Sequence, residues 1–189
     1  MMEASISKHH PLRQLFGVLT EKNFAETLGW ADFNVTHYLA NLLVEFAHVD
    51  QLHCIKSRQG ESIESVVDLL FETESFEDTL DVERERVVHR HIGDLTLFMA
   101  GLFPEYLSRI KASGLIHHKD FLVDYVKAGK RSYGIVATYQ GEEPQETPAL
   151  FQKLSANFEL CVTGLGFVRL DLDRMQVPSY RKAKDILLH

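Results

Sequence analysis

The stretch Arg84 to Tyr106 constrains the fold of this chain most strongly, because it has the pattern of a helix that begins charged and becomes apolar on every side. Its apolar residues recur at steps of three and four, the spacing of one helical face: Val88, Ile92, Leu95, Met99 and Leu102. Further apolar residues fill the other faces of its second half. A helix of this kind is normally buried in the middle of a domain, so we predict a central, buried helix here.

Small residues predict which helix lies against the central one. Gly93 and Gly101 share one face of the central helix, where missing side chains let a neighbour approach closely. Each glycine costs about 1 kcal/mol relative to alanine inside a helix, and close packing offsets that cost. A second predicted helix, over residues 118–139, carries small residues as well: Ala128, Gly129 and Ser132. We therefore expect these two helices to pack together, with Gly101 the most sensitive small residue.

The whole chain predicts an all-α protein, a bundle of about six to eight helices around the central helix. Its 189 residues, of which 45% are hydrophobic and 25% charged, suit one domain with a substantial core. Residues 1–10 are polar and are expected to form a flexible tail, which leaves residues 11–189 as a single helical domain. Apolar and charged residues alternate over 168–173, which is strand periodicity. We therefore allow a short extended element, or an extended arm, near the C-terminus.

Local signals place several helix boundaries. Asn34 is suited to cap the helix that follows it, and Asp81 is a candidate cap for the central helix. Thr147 followed by Pro148 combines a cap with a first-turn proline and predicts another helix start. Pro104 lies inside the apparent central helix, where it removes a backbone hydrogen bond. We therefore predict a kink or a restart just before it.

Charge and cysteine content exclude several classes of protein. A net charge of -7 gives no global attraction to phosphate backbones or anionic membranes, so we expect no nucleic-acid partner. Cys54 and Cys161 lie far apart without a CxxC spacing, which argues against a disulfide framework and a thiolate zinc site. No apolar run reaches the roughly 18 residues that span a bilayer, and the first residues lack an apolar signal core. We therefore expect a cytoplasmic protein without membrane insertion.

The predicted helix after Asn34 carries a narrow polar strip beside its apolar stripe. His37, Asn41, Glu45 and His48 fall within roughly 80 degrees of each other at 100 degrees per residue. Such a strip is either an exposed or hydrogen-bonded face, or the wall of a ligand pocket. The two interpretations differ in whether the strip faces solvent, the central helix or a cavity.

Glu45 and His48 also form an ExxH pair, the spacing that places a carboxylate and an imidazole on one metal in di-iron bundles. The nearest match elsewhere is His91 with Asp94, in reversed order, so the motif is incomplete. Arg90 and Asp94 are four residues apart and can instead form a surface ion pair worth about 0.5 kcal/mol. A third interpretation places His91 and Asp94 at an internal pocket, where they recognise a polar ligand.

These patterns predict a helical binding protein, which takes either a small ligand in the bundle or a protein partner. The candidate ligand-binding residues are the polar strip and the pair on the central helix: His37, Asn41, Glu45, His48, His91 and Asp94. The alternative is a metal-dependent or acid/base enzyme with its site on the Glu45/His48 and His91/Asp94 helices. No cofactor is identified by any motif. A homodimer is a further hypothesis, because an extended element at 168–173 has an unpaired edge that a two-fold partner can satisfy.

Overall fold

The computed structural model describes residues 11–47, 55, 65–74, 81–112, 124–139 and 147–188. Within these residues the chain is all-α and contains no strand, which confirms the predicted fold class. The predicted tail at 1–10 lies outside the described residues.

Nine α-helices are present in the described part of the chain, where the sequence predicted six to eight. A π-helical turn, Asn23–Thr27, directly follows the first of them. In chain order the α-helices are α1 Pro11–Lys22, α2 Phe33–Phe46, α3 Val66–Glu74, α4 Val82–Leu102, α5 Pro104–Ala112, α6 Tyr125–Val136, α7 Pro148–Ala156, α8 Phe158–Arg174 and α9 Pro178–Leu188.

Helix α4 is the central helix of the bundle, as predicted. It packs most closely against α6 and α8, and it also contacts α2, α3 and α5. Between Val88 and Leu102 only Arg90 and Ala100 are more than slightly exposed to solvent. The Asp81 carboxylate accepts a hydrogen bond from the Arg84 N–H at 3.1 Å, which confirms this residue as the cap of α4.

Pro104 separates α4 from α5 in the manner predicted. Helix α4 ends at Leu102, and Phe103 leaves helical geometry with φ -130° and ψ 48°. Pro104 is then the first residue of α5, where its missing N–H costs nothing. Likewise, the Thr147 side chain accepts a hydrogen bond from the Leu150 N–H and starts α7 as expected.

The extended element suggested at 168–173 is wrong, because these residues belong to α8. Val168 and Leu172 are four residues apart and fully buried on the face that also buries Cys161 and Leu165. The two-residue alternation arose only because Leu170 is also apolar, and Leu170 is 43% exposed. Helix α8 already buries the side chains of Val168 and Leu172 in the core, so pairing with another strand is not needed to cover them.

The close approaches at the glycines are real, but they involve two partner helices rather than one. A Cβ built on Gly93 would lie 2.5 Å from the ring of Tyr133 on α6, the predicted partner. A Cβ on Gly101 would lie 2.6 Å from Cβ of Leu165, which is on α8. The prediction that both glycines face the same helix is therefore wrong. The two glycines are eight residues apart, which turns the helix face by about 80°, so each glycine faces a different neighbour of α4.

Helix α2 begins one residue before Asn34, and its cap is Asp32 rather than the predicted asparagine. Asp32 has extended backbone geometry, with φ -115° and ψ 104°. Its Oδ1 accepts hydrogen bonds from the N–H groups of Asn34 at 3.1 Å and Val35 at 3.2 Å. Its Oδ2 lies 2.5 Å from Nζ of Lys153 on α7. The Asp32 carboxylate accepts hydrogen bonds from two helix N–H groups and pairs with one ammonium. It is therefore a better cap for α2 than the side-chain amide of Asn34.

We expect Asp32→Ala to destabilise the protein by about 1 to 2 kcal/mol, because both the cap and the ion pair are lost. Asp32→Asn keeps a capping oxygen and is expected to cost only about 0.5 kcal/mol. Lys153 holds the pKa of Asp32 below its ordinary value of 3.8. The contribution of the ion pair is therefore fully present above that value and is lost as pH falls through the lower native value. Urea denaturation at several pH values measures it, and equal losses for both variants would contradict the assignment of the cap.

Candidate functional site

A groove of about 290 Å³ opens between α2 and α4. One face of α2 supplies most of its wall, and two residues of α4 complete it. The groove is lined by Phe33, Asn34, His37, Tyr38, Asn41, Leu42, Glu45, Arg90 and Asp94.

Four of the six candidate residues meet in this groove. His37, Asn41 and Glu45 line it from α2, and Asp94 lines it from α4. His48 lies outside the described residues. The polar strip thus faces a groove, with His37 and Asn41 half-buried and Glu45 exposed.

His91 does not join the other candidates. Its side chain is 7% exposed, and its ring packs edge-on against Phe46, with 6.0 Å between the ring centroids. It is absent from the lining of the groove. The sequence had grouped His91 with Asp94 because they are three residues apart on one helix. On a helix that is buried all round, that separation is enough to give two residues different neighbours.

Asp94 joins three helices at the floor of the groove. Its Oδ1 accepts hydrogen bonds from the hydroxyl groups of Tyr38 on α2 at 2.6 Å and Tyr133 on α6 at 2.7 Å. Its Oδ2 lies 3.5 Å from Nε of Arg90. The predicted pair of Arg90 and Asp94 therefore exists, but it is not a surface pair, since the Asp94 side chain is only 7% exposed.

Burial changes the pKa values of Asp94 and Tyr133 at the floor of the groove. Loss of solvation raises the pKa of the Asp94 carboxyl, against the opposing effects of Arg90 and the two tyrosine hydroxyls. Burial, followed by the nearby Asp94 charge, raises the pKa of Tyr133 well above its ordinary value. Tyr133 therefore keeps its proton, and both hydroxyl groups donate to Asp94. The sequence did not identify Tyr38 and Tyr133, because no local pattern marks a tyrosine whose partner lies 56 or 39 residues away.

A hydrogen-bonded chain of three side chains ends at the α2 wall of the groove. Arg13 of α1 donates from Nη1 to Oδ1 of Asn41 at 2.7 Å. The Asn41 Nδ2 lies 3.3 Å from Nδ1 of His37. The Phe33 ring stacks on the His37 imidazole, with 5.7 Å between centroids and 23° between the planes. The ring of His37 is thus held from its face by Phe33 and from one edge by Asn41.

Cys161 lies in the core and does not line the groove. It is fully buried on α8, and burial raises the pKa of its thiol to about 12. A thiol of that pKa is not a nucleophile at physiological pH. Cys54 lies outside the described residues.

Across the part of the chain that the structure describes, no group of three or more histidine, cysteine, aspartate or glutamate side chains is arranged to hold a metal ion. Among the described helices, none combines the length and the apolar character needed to cross a bilayer. Comparison with known proteins yields no match, whether to a family model, to a curated protein or to a solved structure. Functional inference therefore depends on the groove alone.

Proposed function

We propose that this protein acts by binding a small polar ligand in the groove between α2 and α4. The observation that carries the proposal is the meeting of the polar strip of α2 with Arg90 and Asp94 of α4 around one cavity. Polar side chains held in place around a concave site are typical of ligand recognition, because their orientation is arranged before the ligand arrives.

The size and the lining of the groove favour a small molecule over a large one. About 290 Å³ is close to the lower limit of roughly 300 Å³ for ligand pockets. Phe33, Tyr38 and Leu42 give apolar contact surface next to the polar groups. A compact ligand with one apolar part and one polar part suits this mixture.

The arrangement of Asp94 supports binding in preference to catalysis. Both oxygens of this carboxylate are engaged, by two tyrosine hydroxyls and by Arg90, so the group is better suited to hold the helices and to orient Arg90 than to move a proton. An enzyme with a metal or acid/base site on Glu45/His48 and His91/Asp94 stays an untested alternative, since His48 lies outside the described residues.

A protein partner, a cytoplasmic location and a homodimer also stay predictions. For the homodimer the original reason no longer holds, because residues 168–173 are helical and Val168 and Leu172 are covered by the chain's own core. Light scattering over a range of protein concentrations measures the oligomeric state directly.

Saturation-transfer NMR tests the proposed function with four probes: phenylacetate, hexanoate, benzylamine and benzamide. We expect at least one of them to receive magnetisation from the protein. Asn34→Trp, which places a large ring at the wall of the groove, should abolish that transfer. Leu170→Trp is the matched control, because Leu170 is exposed on α8 and does not line the groove. Absence of transfer for all four probes, or transfer that survives Asn34→Trp, would count against a ligand site here.

A further inference from the structure

We propose that His37 recognises the carboxylate of a small aromatic or aliphatic acid in this groove, and that Arg13 and Asn41 are the positioning residues that make it a donor. This inference rests on the proposed function and specifies the chemical class of the ligand. It follows from the chain of hydrogen bonds, from the stacked ring and from the distribution of charge along α2.

The chain of hydrogen bonds determines which nitrogen of His37 carries the proton. Arginine has only donors, so the Asn41 atom that contacts Arg13 at 2.7 Å must be the carbonyl oxygen. The Asn41 amide nitrogen, a donor, therefore faces Nδ1 of His37 at 3.3 Å. Nδ1 must accept, and a neutral imidazole then carries its hydrogen on Nε2. His37 accordingly presents an N–H donor at the end of its ring.

The orientation of that donor is arranged in advance. Phe33 stacks on the ring at 5.7 Å, and Asn41 holds the Nδ1 edge. His37, Asn41 and Phe33 all line the groove. Phe33 is 74% exposed, so the hydrogen bond from Asn41 is the contact that orients the ring. A donor that is oriented before binding loses less conformational entropy when a ligand binds.

The charges around His37 favour an anionic acceptor over a neutral one. Arg13 places a positive charge at the far end of the donor chain. A carboxylate accepts a stronger hydrogen bond from an N–H donor than a neutral oxygen does. Of the two acids that line the groove, Asp94 is paired with Arg90. Glu45 lies eight residues further along α2, about 12 Å by helical rise. A carboxylate therefore fits at the His37 end.

The remaining part of the ligand is defined by the apolar wall. Phe33, Tyr38 and Leu42 line the groove together with His37. An aromatic ring or a short alkyl chain attached to the carboxylate fills this part. Phenylacetate is a suitable probe, because it joins one ring to one carboxylate in a compact molecule.

The first experiment measures the tautomer without any ligand. Long-range ¹H–¹⁵N spectra of protein labelled with ¹⁵N-histidine, recorded at mildly alkaline pH, distinguish a protonated ring nitrogen from an unprotonated one. His37→Gln assigns the signal. We expect His37 to be protonated on Nε2 alone, and a proton on Nδ1 would overturn the inference.

Asn41→Asp is the decisive variant, because it is nearly isosteric and reverses the hydrogen bond to His37. The new carboxylate accepts from both neighbours, so the neutral ring must place its hydrogen on Nδ1 and expose Nε2 as an acceptor. We expect phenylacetate to bind at least about tenfold more weakly, the loss associated with one hydrogen bond to a charged group. Benzylamine, whose ammonium is a donor, should bind more tightly than it binds the unchanged protein.

Gln14→Glu is the matched control for charge. It adds the same single negative charge on α1 beside Arg13, at an exposed residue that does not line the groove. Its tautomer and its affinity for phenylacetate should match those of the unchanged protein within about twofold. If both variants lose the same affinity for phenylacetate, the added charge alone explains the loss. That result would overturn the role of the His37 tautomer.

The outcomes separate this inference from the proposed function. Binding of benzylamine or benzamide in the groove without binding of phenylacetate would overturn the carboxylate and leave a ligand site in place. Failure of every probe with His37 protonated on Nε2 would count against the ligand site itself.

Discussion

Replacing Asp94 with alanine is expected to destabilise the protein by about 3 to 5 kcal/mol, because it removes the acceptor at the centre of a buried polar cluster. The hydroxyl groups of Tyr38 and Tyr133 lose the oxygen they share, and Arg90 loses a carboxylate partner. Buried donors deprived of an acceptor cost about 1 to 3 kcal/mol each. Urea denaturation of the variant measures the loss.

Two further variants separate the charge of Asp94 from its packing. Asp94→Asn keeps an acceptor oxygen and a similar volume, so its cost should be smaller than that of alanine. Tyr133→Phe removes one donor only and should cost about 1 kcal/mol. An alanine variant less than 1 kcal/mol below the unchanged protein would mean that this cluster does not hold α2, α4 and α6 together.

The same carboxyl gives stability a pH dependence of definite sign. Burial raises the pKa of Asp94 from its ordinary value of 3.8, so the native state keeps this proton at pH values where the unfolded chain has released it. The contribution of Asp94 to stability therefore decreases as pH rises from 3.8 towards the native pKa. Asp94→Asn should remove this decrease. Urea denaturation of the variant and of the unchanged protein at several pH values measures the difference.

Replacing Gly101 with leucine is expected to destabilise the protein by about 3 kcal/mol, at the upper end of the range for overpacking. A Cβ at this position would lie 2.6 Å from Cβ of Leu165, an atom that cannot rotate away because it is attached to the backbone. Either α4 or α8 must therefore shift. Alanine should also destabilise, by about 1 kcal/mol or more, despite its better helix propensity. Guanidinium denaturation of both variants measures the effect.

Gly166 is the matched control, because it lies on α8 and no atom would be within 4 Å of an added Cβ. Gly166→Ala should be neutral or stabilise by up to about 1 kcal/mol. A Gly101→Ala variant that is stabilised, together with a tolerated leucine, would show that the interface of α4 and α8 is placed wrongly.

The sequence predicted the elements whose causes are local. The apolar face of α4, the cap at Asp81, the break at Pro104 and the start of α7 at Thr147 each depend on residues within one or two turns. The polar strip on α2 was also recognisable, because helical geometry alone places His37, Asn41 and Glu45 on one side.

The errors have a common origin in residues whose role is decided elsewhere. The alternation of apolar and charged residues over 168–173 is also compatible with a strand. Only the packing of Val168 and Leu172 against the core shows that these residues form one face of a helix. Asn34 is an acceptable cap, but Lys153, more than a hundred residues away, favours Asp32. His91 shares a helix with Asp94 and yet packs against Phe46, outside the groove.

The sequence by itself determined that this protein is all-α, that α4 lies at its centre and that α2 has a polar side, since these follow from helical periodicity and from capping. The tertiary structure decided that the polar side borders a groove, that Asp94 is held by Tyr38 and Tyr133, and that Arg13 orients Asn41 and thereby His37. These contacts join α1, α2, α4 and α6, and no local pattern encodes them. They form because burying the apolar faces of those helices brings their polar groups together, and buried polar groups must then find partners among whatever side chains lie within reach.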